Sequence, residues 1–373
     1  MKVAVPAEVK NNEFRVAITP AGVHELVAAG HQVFIQAGAG VGSAINDDEY
    51  VAQGATICPD AASTWAAGEM VLKVKEPIAS EYQYLRPDLI LFTYLHLAAD
   101  RPLTDALIAN KVTAIAYETV QIGRALPLLH PMSEVAGRLS AQIGANQLMK
   151  TNGGRGILMG GVPGTPRVKT VVIGGGVAGT EAARVAHGMG SDVVVIDLSL
   201  PRLREIENMF SGNVQTRVST SYEIANQLAD ADLVIGSVLI PGEKAPKLVT
   251  DAMVKNMKAG AVLVDIAIDQ GGCFEHSRPT THDDPTFAVH NTTYYCVANM
   301  PGAVPATSTV ALTNATLPYV IAIASKGWKQ ALASDPALAL GLNVHEGVIT
   351  HPAVNHAFPQ LSYQSAEEVI SAS

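Results

Sequence analysis

The sequence predicts an α/β protein built as two doubly wound domains with an active-site cleft between them, and three observations carry that reading. The chain has 373 residues, more than one ordinary hydrophobic core absorbs, so two domains are the default. Short apolar runs alternate with helical patterns along most of its length, the mark of βαβ units and parallel sheets. The stretch "KTVVIGGGVAG", Lys169 to Gly179, joins an apolar run to a helix start through glycines at GxGxxG spacing. Because nearly half of the chain comes before it, the first half must be a domain in its own right.

From Arg167 onward the strand-like runs are Val168–Ile173, Asp192–Asp197, Val214–Ser219, Asp232–Gly236, Ala261–Ile266 and Thr293–Ala298. Helical segments are expected at Ala178–Met189, Leu200–Met209, Ser221–Ala229 and Asp251–Met257. In the first half "KVAVPAE", "HQVFIQAG", "EMVLKVKEP", "LILFTYLHL" and "KVTAIAYE" read as strands. Thr19 with Pro20 supplies a cap and a first-turn proline for a helix that stops at Gly30. The glycine- and proline-rich stretch Thr151–Arg167 reads as a linker. After Ala298 a proline-punctuated loop leads into a long helix, Thr307–Ser325, which lets the chain return to its first domain. The expected division is 1–130 plus 305–373 for a discontinuous domain, and 131–304 for the other.

Composition narrows the function classes. Apolar residues make up 48% and charged ones 16%, enough for sizeable cores and against disorder. Acidic side chains number 34 against 25 basic, with no long run of either sign, so neither a nucleic-acid tail nor a polybasic membrane patch is indicated. Thr307–Ser325 carries Thr, Asn, Ser and Pro and reads as a buried helix, so no membrane partner is expected. Cys58, Cys273 and Cys296 are widely spaced and odd in number, which suits a reducing compartment. The start "MKVAVPAEVKNNEFR" has charges and a proline where a signal peptide needs an apolar run.

The glycine stretch carries the first chemistry. Gly174 allows a tight turn, Gly176 lets backbone approach a pyrophosphate, and Gly179 lets the following helix pack close to the strand, with Val177 of the same turn counted among the cofactor-binding positions. The helix N-terminus offers unpaired N–H groups and the positive dipole end to phosphate. Asp197 ends the next strand, where a carboxylate accepts from adenosine ribose hydroxyls. The second domain is therefore expected to be a Rossmann dinucleotide-binding domain. A 2′-phosphate against Asp197 meets like charge, which favours NAD over NADP, although Arg202 nearby is a residue able to receive that phosphate.

In the first domain Arg15, Lys75, His96 and Glu118 follow or end strand runs, and ligands of open α/β sheets lie beyond strand carboxyl ends. A guanidinium grips a carboxylate, an ammonium polarises a carbonyl, and an imidazole moves protons near neutral pH. Asp269, in "VDIAIDQGGC", occupies the loop after the fifth strand of the second domain. Each of these residues alone also reads as a solvated strand end or a turn former. The acidic clusters "NDDEY" (Asn46–Tyr50) and "THDDP" (Thr281–Pro285) lack paired ligand spacing, so no metal is expected there.

The stretches "PAEVKNNEFRVAITP", "VLKVKEP", "LFTYLHLA", "MSEVAGRLSAQIGA", "VVIGGGVAG", "VLVDIAIDQGGCFE" and "YCVANMPGAVP" run from residue 6 to residue 305. Together they resemble the alanine dehydrogenase and transhydrogenase domain I family. The resemblance implies reversible NAD-dependent oxidation of L-alanine to pyruvate and ammonium, in a cytoplasmic homohexamer. It implies that Arg15 and Lys75 bind substrate, that His96 is the acid/base and that Asp269 is its acidic partner. It further implies NAD contacts at Ser133, Asp197, Arg202 and Ser219, at Val238 and Leu239, at Ile266 and Asp269, and at Val297, Asn299 and Met300. Some members hold magnesium on a histidine of the long late helix, where this chain has Ser325 and Lys326. The alternative is a soluble NAD(H)-binding transhydrogenase subunit, which would lack an amino-acid substrate; the Arg15, Lys75, His96 set argues against it.

Overall fold

The computed structural model, described over residues 1–238 and 245–372, divides into two compact units, Met1–Met132 with Val304–Ser373, and Ser133–Ala303. The first unit opens with β1 (Lys2–Val5), β2 (Gln32–Gln36), β3 (Thr56–Cys58), β4 (Met70–Leu72), β5 (Ile90–Thr93) and β6 (Thr113–Ala116). The second contains β7 (Lys169–Ile173), β8 (Asp192–Asp197), β9 (Gln215–Val218), β10 (Leu233–Gly236), β11 (Val262–Asp265), β12 (Thr286–Val289) and β13 (Thr292–Tyr295). The chain then returns to the first unit with β14 (Leu342–His345) and β15 (Val348–Ile349).

The first sheet has the order β15-β14-β6-β5-β4-β1-β2-β3, with β1 to β6 mutually parallel. The order reverses between β1 and β4, the kind of switch point at which open α/β sheets bind ligands. Every residue of β4, β5 and β6 is buried, as expected of parallel strands covered on both faces. The second sheet runs β12-β13-β11-β10-β7-β8-β9 and reverses between β7 and β10, the dinucleotide-binding order with one antiparallel edge strand added. Alternate residues feed two cores here. Val172, Val195, Ile235 and Val264 pack with Ala182, Ala183 and Ala186 on one face, and Val171, Ile196, Val234 and Leu263 with Ile224, Leu228 and Val254 on the other.

Several elements differ from the sequence reading. The second sheet has seven strands where six were expected, because β12 pairs antiparallel with β13 through a short hairpin. The first sheet gains β3, β14 and β15 over the five runs read from sequence, and β14 pairs antiparallel with β6. Thr151–Arg167 is not a linker between units. It lies within the second unit, where Met159 is buried in the core and the Val168 amide donates to the Met159 carbonyl. The long helix spans Pro305–Lys326 and is long and apolar enough to cross a membrane. Its buried side is tied into the first unit: Thr309 Oγ1 accepts from the Val16 amide at 3.1 Å and meets Ser43 Oγ at 2.8 Å.

Candidate active site

The loops that follow β1, β4, β5 and β6 share one edge of the first sheet, and each delivers one of the expected groups. Arg15 lies beyond β1, Lys75 beyond β4, His96 beyond β5 and Glu118 beyond β6. Strand pairing stops earlier than the apolar runs suggest: β5 ends at Thr93 and β6 at Ala116, so His96 and Glu118 stand clear of the sheet. The cause is Glu118, whose carboxylate accepts from the amides of Leu95 and, at 2.6 Å, His96. That capture leaves His96 left-handed at φ 51°. The ring stacks on Tyr94 at 6.0 Å between centroids, with Nδ1 4.0 Å from Glu118 Oε1 and 44% of the side chain exposed.

Arg15 is buried at 2% exposure, with Glu13 bridging its Nε at 2.7 Å and Nη2 at 2.6 Å and Met132 Sδ 3.0 Å from Nη1. Burial works against the cation, but the Glu13 hydrogen bonds and charge outweigh it, so the Arg15 pKa is raised. Lys75 is held through its backbone. Glu8 accepts from the Val74 amide at 2.6 Å and the Lys75 amide at 3.4 Å, while its other task is Lys73, 3.1 Å from Glu8 and 2.9 Å from Glu81. Lys73 is fully buried, and the two carboxylates overcome the desolvation that would lower its pKa. Burial pushes the Glu8 carboxyl up, with Lys73 pulling against it. Beside this trio Glu76 pairs with Lys10 and feels both Lys75 and His96. The Lys75 ammonium itself makes no hydrogen bond or ion pair among the described residues.

On the second unit the loop after β7 forms the matching feature. Gly174 has φ 100° and Gly179 lies against it, since a Cβ on Gly179 would sit 1.8 Å from the Gly174 carbonyl and 2.6 Å from Ser237 Oγ. Gly176 begins the helix Val177–Gly188 with no side-chain cap, and a Cβ there would meet nothing within 4 Å. The open side of Gly176 and the uncapped helix end suit a diphosphate. These two glycines predict separable outcomes. Gly179→Ala forces helix from strand and is expected to lower stability by about 1–3 kcal/mol, whereas Gly176→Ala is expected to unfold like the parent but to lose the stabilisation that added nucleotide confers. Thermal unfolding with and without nucleotide checks both.

Asp197 ends β8 and accepts from the Gly175 amide at 2.7 Å and the Ser199 amide at 2.8 Å. Arg202 braces the same loop, donating to the Gly175 carbonyl at 2.6 Å and Thr180 Oγ1 at 2.7 Å and pairing with Glu205 at 2.6 Å. Ser219 follows β9 with its amide on the Asp197 carbonyl, and Val238 follows β10. Leu239 lies outside the described residues. Ile266 and Asp269 belong to the short 3-10 helix after β11, with Asp269 exposed. Val297 and Met300 are buried in the core after β13, with Asn299 left-handed between them at φ 65°. Ser133 is half-buried on the helix His130–Gln147.

Family models match both units. The description "Alanine dehydrogenase/PNT, N-terminal domain" covers residues 4–136, and "Alanine dehydrogenase/PNT, C-terminal domain" covers 140–352. The chain belongs to the alanine dehydrogenase/PNT family. A family relative named alanine dehydrogenase, from Mycolicibacterium smegmatis, is 62% identical over 355 residues, 95% of this chain and 96% of its own length. Another so named, from Staphylococcus haemolyticus, is 55% identical over 372 residues, 99% of each. Among solved structures an L-alanine dehydrogenase superposes with a TM-score of 0.94 at 52% identity, covering 96% of this chain and 99% of that one. A transhydrogenase from Sinorhizobium meliloti gives 0.80 at 25% identity over 95% and 100%.

Set beside the family motifs, several supporting residues escaped the sequence reading. Glu8, Lys73 and Glu81 are among them, and the signal for the trio is the lysine inside the apolar run "VLKVKEP", which demands a buried acid. Asp265, four residues before Asp269, is the buried acid of the same loop. Asp265 is fully buried and accepts from the amides of Ala267 at 3.0 Å and Cys273 at 2.9 Å and from the Ser277 hydroxyl, closing the loop that carries Asp269. Burial raises its pKa against those hydrogen bonds.

Proposed function

We propose that this chain catalyses the reversible, NAD-dependent oxidative deamination of L-alanine to pyruvate and ammonium. The observation that carries the reading is the gathering of Arg15, Lys75, His96 and Glu118 at the carboxyl ends of four adjacent parallel strands. The near full-length identity to proteins named alanine dehydrogenase supports it.

Bound at the glycine loop, NAD supplies the two-electron acceptor for the substrate Cα–H. Arg15, its guanidinium plane set by Glu13, takes the substrate carboxylate. Lys75 donates from its ammonium to the oxygen of pyruvate, or to that of the water adduct which precedes it. Oxidation leaves an imine; His96 accepts a proton from the water that adds to it and returns one to the departing nitrogen. Asp269 is assigned the orientation of that water. The products are pyruvate, ammonium and the reduced nucleotide. Asp197, already committed to the glycine loop, repels a 2′-phosphate, and Arg202 is occupied by the Gly175 carbonyl, Thr180 and Glu205, which together support NAD over NADP. The free thiols of Cys58, Cys273 and Cys296 are all buried, which suits the cytoplasm. We place the protein there as a homo-oligomer, a hexamer by family resemblance.

The test is the rate of NADH formation with L-alanine and NAD, set beside NADP and a panel of amino acids. Turnover with L-alanine and NAD, and much slower turnover with NADP, is expected. NADH binding without turnover on any amino acid would sink the reading and favour the transhydrogenase alternative.

A further inference from the structure

Away from the carboxyl edges, three side chains of the second unit converge. Asp251 opens the helix Asp251–Lys255, His276 lies on the loop after β11, and His290 sits at the turn between β12 and β13. His276 Nε2 is 2.8 Å and His290 Nε2 2.6 Å from the same Asp251 Oδ1, and the possible ligand atoms of all three residues lie within 4.8 Å of one another. We propose that this cluster binds one divalent transition-metal ion of the zinc type, through His276 Nε2, His290 Nε2 and Asp251 Oδ1, with water in the fourth position.

The donor set selects the ion. Two imidazoles and a carboxylate are zinc ligands, whereas magnesium and calcium take oxygen. The three ligands come from segments far apart in sequence that the fold alone assembles, and both rings present the nitrogen distant from the backbone to one point. Asp251 divides its oxygens: Oδ2 pairs with Lys255 at 2.7 Å, leaving Oδ1 to the rings, while Glu275 takes the Asp251 amide at 2.6 Å. Those outer contacts fix the carboxylate as outer contacts do in metal sites. A tetrahedral ion at about 2.0–2.1 Å from each ligand needs them roughly 3.3 Å apart, so the His276 ring must retreat from Asp251 by about 0.5 Å and the His290 ring by about 0.7 Å. With 41% and 33% of their side chains exposed, His276 and His290 have the room to do so. Because the ion would tie together a helix, a loop and a hairpin, its binding stabilises the folded unit.

The experiment is a calorimetric titration of zinc chloride into the tag-free, full-length chain, paired with thermal unfolding. One ion per chain is expected, with a rise in unfolding midpoint. His276→Ala and His290→Ala should each weaken binding by about tenfold or more and remove the zinc-dependent rise. Both should keep the parent midpoint in the absence of zinc, because the residues are partly exposed. An absence of saturable binding overturns the proposal, and so does binding that both variants retain, which would place the ion elsewhere. In either case the cluster is a hydrogen-bonded His–Asp–His group only.

Discussion

Replacing His96 with alanine lowers turnover by roughly 10²–10⁴-fold in both directions, while nucleotide binding and the unfolding midpoint stay at parent values. The separation follows from where the ring sits. It stacks on Tyr94 but leaves 44% of its side chain exposed, so little packing depends on it. The features that hold position 96 are backbone features: the amide donates to Glu118 and the residue is left-handed, and neither needs an imidazole. Alanine therefore removes the imidazole proposed to carry the proton and leaves the loop in place. Steady-state rates with L-alanine and with pyruvate plus ammonium, read beside nucleotide affinity, check the prediction. A variant that turns over within tenfold of the parent would take His96 out of the proton transfer.

The sequence made the parallel strands legible because strands buried on both faces write themselves as unbroken apolar runs, as in "TVVI" of β7 and "LILFT" ending in β5. Glycines at 174 and 179 were legible for a similar reason, each answering a local steric demand, while Gly176 was legible only through the spacing of the motif, since a Cβ there would meet nothing within 4 Å. What stayed hidden was non-local. β14 pairs with β6 across more than two hundred residues, and nothing in "LNVH" names that partner. β3 and β15, with "TIC" and "VI", are too short to show a period. The site divides in the same way. Position after a strand made Arg15, Lys75, His96 and Glu118 candidates, since it depends on residue type and local order, while their roles came only with the family resemblance. Partners that hold Lys75 and His96 are contacts across the fold, Glu8 with the Lys75 amide over 67 residues and Glu118 with the His96 amide over 22. Asp265 and Asp269 stand four apart in one loop sequence, and only burial tells the structural carboxylate from the exposed one.

Lys73→Met destabilises the protein by about 3–5 kcal/mol, the cost of breaking a buried ion pair from one side. The side chain is fully buried and neutralises both Glu8 and Glu81, at 3.1 and 2.9 Å. Without it two carboxylates remain in the interior, and desolvation, already raising Glu8 in the intact protein, loses its counterweight. Against a total stability of about 5–15 kcal/mol such a loss is large, and low recovery of folded protein accompanies it. The rescue distinguishes charge from shape. In Lys73→Met with Glu8→Gln and Glu81→Gln none of the trio's buried charges is left, so most of the stability returns. The side-chain amide carbonyl that Glu8→Gln introduces still accepts from the Val74 amide but no longer as an anion, so Lys75 is held less firmly and turnover recovers less than stability does. Urea unfolding midpoints for the single and triple variants, set beside their turnover numbers, decide the matter. A single variant with the parent's midpoint would show that the trio does not hold this edge of the sheet together.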